Sequence, residues 1–125
     1  FAEQWALRNT GQGGGTPGAD ISMEAAWELA TGDPSVVVLV VDSGIATTHP
    51  DLLGSLWVNP NPGPENGYDG DLHGWNFVSG NNNISDSSGH GTQVAGIIGA
   101  STNNDTGIAG VAGGSGTNDG VRLMI

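Results

Sequence analysis

The sequence predicts an α/β fold in which a parallel sheet is flanked by helices, and three observations support this. Residues 36–41 are an unbroken apolar run of mostly valine, typical of a strand buried on both faces. Residues 90–100 are rich in Gly and Ala, which predicts a helix that packs closely against a sheet. Residues 121–125 form another apolar, strand-like run. Strands and helices that alternate along a chain indicate α/β layers.

The segment before the first strand is predicted to be a loop over residues 1–20, followed by a helix at about 22–30. Asp20 or Ser22 could cap the start of this helix, and Gly32 with Pro34 would end it. Its apolar residues recur at the spacing of one helical face: Met23, Ala26, Trp27 and Ala30.

The segment between the first strand and the second helix is mostly polar. Residues 54–74 are rich in Pro, Gly, Asn and Asp and predict a long loop, as do residues 79–88. Residues 75–78 read as a short strand between these loops. The chain ends within the apolar run 121–125, and since globular domains rarely end within a strand, this predicts a truncated domain.

The charge balance excludes several classes of partner. The formal net charge is −11, and the only Lys or Arg residues are Arg8 and Arg122. Nucleic acids and anionic membranes are disfavoured because phosphate contacts need Lys or Arg. Cysteine is absent, so disulfides are excluded. No apolar run approaches the roughly 18 residues of a membrane-spanning helix, and the first residues lack a basic and then apolar leader pattern, so we expect a signal peptide to be absent or already removed.

Two residues stand where catalytic groups of α/β enzymes are expected. Asp42 follows the strand at 36–41, and sites in parallel α/β sheets lie beyond the carboxyl ends of strands. His90 lies between two glycines at the predicted start of a helix. A carboxylate that holds a histidine can serve acid–base catalysis. Taken singly, Asp42 could equally cap a turn and His90 could be a surface histidine, as we expect for His49 and His73.

The sequence around these residues resembles the subtilisin-like serine proteases. Asp42-Ser43-Gly44, the run His-Pro-Asp-Leu at 49–52, and Gly-His-Gly-Thr-Gln-Val-Ala-Gly at 89–96 are similar to the motifs around the catalytic Asp and His of that family. The segments 4–12 and 25–27 also resemble those of many subtilases, and the segment 102–112 is similar to a loop of thermitase-like members. The order Asp before His before a later Ser is the known order for subtilisin.

The resemblance implies the N-terminal part of a subtilase catalytic domain over residues 1–125, with Asp42 and His90 as two members of an Asp-His-Ser triad. A Gly-Thr-Ser-Met-Ala-like motif is absent, so the serine is expected beyond Ile125, and the chain alone is expected to be inactive. Protein or peptide substrates, secretion, and association with the remainder of the catalytic domain are implied as well. Gln93 departs from the family, which most often has His there.

The resemblance further implies a structural calcium site. Its ligands would be the side chains of Asp51 and Asn104 with the carbonyls of Ser101, Thr106 and Ile108, and oxygen ligands are what calcium prefers. A further carboxylate of the family's site comes from upstream of Phe1, so we expect the site to be one ligand poorer. Asp69 and Asp71 are a second, weaker candidate.

Other functions fit the sequence less well than a subtilisin-like protease. A phosphatase of the haloacid-dehalogenase type needs a second Asp two residues after the first, and Gly44 stands there. The alternative left open is a non-catalytic protein, truncated or degenerate, that acts as a calcium-binding or interaction module.

Overall fold

The computed structural model describes residues 3–116 and 119–125. Within them lie two α-helices, α1 (Met23–Trp27) and α2 (His90–Gly99), and two strands, β1 (Val37–Leu39) and β2 (Arg122–Met124). Three short 3₁₀ helices lie in the connecting loops, at Gln12–Gly14, Leu53–Ser55 and Pro64–Asn66. Helices thus alternate with parallel strands, and the predicted α/β class is confirmed.

The two strands form a parallel sheet whose register pairs Val38 with Leu123. Backbone bonds extend the pairing at both ends, because Arg122 N donates to Val36 O and Val40 N donates to Met124 O, each at 2.8 Å. Helix α2 packs on this sheet where Gly99 approaches Leu123. A Cβ on Gly99 would meet the Leu123 side chain at 3.3 Å. The glycine-rich sequence of α2 therefore permits the close helix–sheet contact that it predicts.

The main hydrophobic core lies between the sheet, α2 and the loops that follow β1. Two of its side chains, Ile45 and Leu123, are fully buried. The buried members of this core are Val40, Ile45, Leu52, Leu56, Ile84, Ala95, Ala100, Val121, Leu123 and Ile125. It draws on residues from 40 to 125 and therefore ties the two strands to the two loops that precede α2.

The prediction that both faces of residues 36–41 are buried is wrong for this chain. Val40 is 5% exposed, but Leu39 is 57% and Val41 82% exposed, and the strand itself is shorter than predicted. Side chains alternate between the faces of a strand, so one face meets the core and the other faces outward. Among the described residues, the elements cover only the core side. An apolar run in the sequence indicates that a strand favours burial, but it does not indicate whether another element packs on each face.

The first helix is also shorter than predicted, since α1 covers residues 23–27 of the expected 22–30. Met23 is buried and Trp27 is half-buried, whereas Ala26 and Ala30 are exposed, so half of the predicted apolar face packs. Trp27 Nε1 donates to Val111 O at 2.8 Å. Ser22 makes no side-chain cap, but Asp20 accepts a bond from Ser22 N at 2.7 Å, so Asp20 orders the turn before the helix.

The predicted strand at 75–78 is wrong, because residues 77–80 form a turn and only Asn76 makes an isolated bridge, to Asn81. Asn76 Oδ1 accepts bonds from Val78 N at 3.1 Å and Ser79 N at 2.9 Å. An Asn side chain that binds nearby backbone N–H groups competes with a strand ladder and favours a turn. No helix in the described part of the chain is long and apolar enough to span a membrane.

Candidate active site

Asp42 lies just past the carboxyl end of β1, at the edge where the sequence predicts a site. Its Oδ1 accepts a bond from Ser43 N at 2.7 Å, which turns the carboxylate back over the chain. Gly44 then adopts φ 115°, a backbone angle that favours glycine, and a Cβ there would meet Ile84 O at 2.6 Å. The turn after β1 therefore depends on glycine and fixes the direction of Asp42.

His90 is the first residue of α2, preceded by Gly89 as N-cap in the left-handed region at φ 87°. Gly91 lies directly over the Asp42 turn, where a Cβ would clash with Gly44 O and lie 3.2 Å from Asp42 Cβ. Residue 91 must therefore be small for α2 to sit this close to β1. The two glycines around His90 give the helix start its conformation and let it approach Asp42.

Asp42 and His90 are in direct contact. His90 Nδ1 lies 2.8 Å from both Oδ1 and Oδ2 of Asp42. A carboxylate at this distance accepts the Nδ1–H, which selects the tautomer in which Nε2 carries the free lone pair. The His90 side chain is 67% exposed and that of Asp42 is 19% exposed. The arrangement presents a basic nitrogen to solvent from a ring held at its other nitrogen.

The contact between Asp42 and His90 shifts their pKa values in opposite directions. The hydrogen bond to Asp42, then its negative charge, raises the pKa of His90 above the ordinary histidine value. The hydrogen bond from His90, then that from Ser43 N, lowers the pKa of Asp42. Asp42 is therefore ionised over the whole range in which His90 titrates. A histidine stabilised in its protonated form by a fixed carboxylate is the arrangement of a general base.

Several of the residues expected to bind calcium lie around the Asp51 carboxylate. Asp51 is only 1% exposed, and its Oδ1 accepts a bond from Asn104 Nδ2 at 2.8 Å while Oδ2 accepts one from Ile108 N at 2.9 Å. The backbone of Ser101 also reaches Asp51, through Ser101 N donating to Asp51 O at 2.9 Å. Thr106 N donates to Asn104 Oδ1 at 3.2 Å. One buried carboxylate thus holds the loop at 101–108.

The residues fit a calcium ion only in part. Calcium needs oxygen ligands, and Asp51 supplies a carboxylate, but Asn104 presents its Nδ2 to that carboxylate. An ion would require the Asn104 carboxamide to turn over. The second predicted candidate shows a similar pattern: Asp71 accepts bonds from Asn59 Nδ2 at 2.8 Å and from Asn66 Nδ2 at 3.2 Å.

The other two histidines lie outside the Asp42–His90 pair. His49 Nδ1 accepts a bond from Asp51 N at 3.2 Å, which closes the His-Pro-Asp turn. His73 Nδ1 lies 2.6 Å from Trp57 O, so it carries the proton and donates to this carbonyl. Both therefore bind loop backbone.

Asp86 is the residue of the site that the sequence analysis missed. It lies four residues before His90, in a segment predicted only as a polar loop, and it accepts bonds from the start of α2 and from Ser43. An acidic residue just before a helix is a known signal for a cap. That signal indicates a helix start, but it does not indicate a contact with Ser43, 43 residues away in sequence.

Comparison with known proteins gives a consistent result. The model of the subtilase family, peptidase family S8, matches residues 33–117. The cell wall-associated protease of Bacillus subtilis (strain 168) is 39% identical over 106 residues, which are 83% of this chain and 10% of that protein. Neuroendocrine convertase 2 of Homo sapiens is 36% identical over 111 residues, which are 83% of this chain and 15% of that protein.

Thermitase of Thermoactinomyces vulgaris is 37% identical over 84 residues, which are 67% of this chain and 24% of that protein. The chain therefore spans a quarter or less of each of these relatives. The matched residues 33–117 include β1, Asp42, Asp86, His90 and α2. On this match, which covers more than half of its length, the chain belongs to the subtilase family.

Proposed function

We propose that residues 1–125 are the N-terminal part of the catalytic domain of a subtilisin-like serine endopeptidase. In this proposal His90 is the general base that takes a proton from a serine hydroxyl and returns it to the leaving amine. Asp42 holds the His90 tautomer and stabilises the imidazolium. The observation that carries the proposal is the 2.8 Å contact of His90 Nδ1 with the Asp42 carboxylate, in a subtilase chain.

The nucleophilic serine is proposed to come from outside these 125 residues. No Gly-Thr-Ser-Met-Ala-like motif occurs among them, and the relatives are four to ten times longer than the matched segment. We therefore propose that the 125-residue chain alone hydrolyses no peptide bond and acts together with the remainder of the domain. Peptides or proteins are the proposed substrates. The proposed location is extracellular, supported by the name of the cell wall-associated relative.

Active-site labelling of the longer protein tests this function. A fluorophosphonate reacts with a serine that a histidine activates. The protein that carries residues 1–125 should be labelled, His90→Ala should abolish labelling, and His73→Asn, which keeps a donor toward Trp57 O, should leave it intact. Peptide hydrolysis that chelators abolish and fluorophosphonate leaves untouched would show a metal-based mechanism and contradict the proposal.

We further propose that the loop held by Asp51 binds a structural calcium ion once the Asn104 carboxamide turns its oxygen inward. The support is the donor chemistry: a buried carboxylate with a carboxamide against it. Carbonyls of Ser101, Thr106 and Ile108 complete the proposed ligand set. An ion that binds only the folded protein stabilises it by about 2.7 kcal/mol at 100 Kd. The longer protein should therefore melt several degrees higher in millimolar calcium than in chelator.

Substitution of Asp51 separates this site from the second candidate. Asp51→Ala should remove most of the calcium-dependent rise in melting temperature, measured within that variant between calcium and chelator. Asp69→Ala and Asp71→Ala should remove less of it. Equal melting temperatures of the unsubstituted protein in calcium and chelator would leave Asp51 as a hydrogen-bonding residue that ties the loop down.

A further inference from the structure

The Asp86 carboxylate accepts five hydrogen bonds, and they come from two different parts of the chain. Oδ2 accepts from Thr92 N at 2.9 Å and from Thr92 Oγ1 at 2.6 Å. Oδ1 accepts from Ser88 N at 2.9 Å, Gly89 N at 2.8 Å and Ser43 Oγ at 2.9 Å. Four of the five donors belong to residues 88–92, at and just before the start of α2, and the fifth belongs to the turn after β1.

Ser43 links Asp86 to both members of the proposed catalytic pair, Asp42 and His90. Its Oγ donates to Asp86 and accepts from Gly91 N at 3.0 Å, while its backbone N donates to Asp42 Oδ1 at 2.7 Å. Gly91 is the neighbour of His90 in α2. One carboxylate therefore holds the residue that orients Asp42 and the helix turn that carries His90.

Asp86 is ionised wherever the pair functions. The bond from Thr92 Oγ1 is the largest of the causes that hold its pKa well below the ordinary aspartate value. Its negative charge also contributes, after Asp42, to the raised pKa of His90. The other described carboxylate that faces His90 is Asp42 itself. A fixed charge next to the helix N-terminus is favourable to the helix as well.

We propose that Asp86 is a positioning residue that sets the Asp42–His90 geometry through Ser43 and the first turn of α2. The proposal rests on the proposed catalytic roles of Asp42 and His90 and goes beyond them. Asp86 does not contact His90 and takes no part in proton transfer. It differs from an ordinary helix cap because its bond to Ser43 couples the helix start to the turn after β1.

The test measures the tautomer and pKa of His90 by side-chain ¹⁵N nuclear magnetic resonance in the longer protein that carries residues 1–125, with backbone amide spectra to confirm folding. Asp86→Asn removes the charge and weakens the coupling, and Ser43→Ala removes the coupling but keeps the charge. Asp33 and Ser35 provide matched controls, because Ser35 N and Oγ donate to Asp33 Oδ1 at 2.8 and 2.7 Å at the opposite end of β1.

We expect Ser43→Ala and Asp86→Asn to increase the share of the Nε2–H tautomer of His90, and Asp86→Asn also to lower its pKa. Asp33→Asn and Ser35→Ala should change neither. A wild-type tautomer in Ser43→Ala would overturn the proposal, since Asp86 would then act through its charge alone. If Asp86→Asn fails to fold, the tautomer of His90 in Ser43→Ala tests the proposal by itself.

A fifth variant keeps this result separate from the proposed function. Asp42→Asn should lower the pKa of His90, because Asp42 is the main cause of its rise. If Asp42→Asn lowers that pKa while Ser43→Ala and Asp86→Asn leave His90 unchanged, the pair stands and the role of Asp86 is overturned. If Asp42→Asn also leaves the pKa unchanged, the pair itself is contradicted.

Discussion

Replacing Asp42 by asparagine in the proposed protease of which residues 1–125 would form part should lower kcat by about 10⁴-fold, the scale measured when a triad loses this carboxylate. Asparagine has nearly the shape of aspartate, so β1 and the turn at Ser43 remain. Its carboxamide can donate to His90 Nδ1, however, and this would leave the proton on Nε2. His90 would then face the serine with the wrong nitrogen protonated.

The pH profile adds a second readout to the same experiment. A general base acts in its neutral form, and Asp42 raises the pKa of His90, so the acidic limb of kcat/KM should lie above the ordinary histidine pKa in the proposed enzyme. Asp42→Asn should move that limb to lower pH. Asp33→Asn, at the other end of β1, should change neither rate nor limb. A loss of less than about tenfold would contradict the assigned role of Asp42.

The positions of Asp42 and His90 could be predicted because each depends on a local signal. An apolar run that ends in Asp predicts a residue at the carboxyl end of a parallel strand, and a glycine-flanked His predicts a helix start. Their contact over 48 residues follows because the carboxyl end of β1 and the start of α2 meet at the same edge. Either signal alone fits an ordinary turn or surface residue, and the resemblance of the two motifs to those of subtilases is what predicts the pair.

Three other features could not be predicted from the sequence, two because they depend on long-range contacts and one because local side-chain hydrogen bonds replace a strand. The exposure of Leu39 and Val41 depends on which elements cover the sheet, and a run of valines carries no such information. The turn at Asn76 shows side-chain hydrogen bonds overriding a strand-like composition. The role of Asp86 needs Ser43 as its partner, and the spacing between them predicts nothing by itself. A contact between distant segments decides the outcome at the sheet and at Asp86, whereas local side-chain hydrogen bonds decide it at Asn76.

The second large effect expected concerns stability, and it follows from the uneven burial of the sheet. Leu123 is fully buried in β2, pairs with Val38 across the sheet and packs against Gly99 of α2. Leu123→Ala should lower the free energy of unfolding by about 2–5 kcal/mol, the range for deleting a core leucine. Domains are stable by only about 5–15 kcal/mol, so this loss would remove a large share of the stability.

Leu39→Ala is the matched control, because Leu39 is also a strand leucine but lies on the uncovered face at 57% exposure. Its loss should change the free energy of unfolding by about 0.5 kcal/mol or less. Urea titration followed by circular dichroism measures both variants. Equal midpoints for the two would show that the sheet is covered on both sides in solution. A large gap between them would show instead that only the core face of the sheet is covered, with Leu123 buried between β2 and α2.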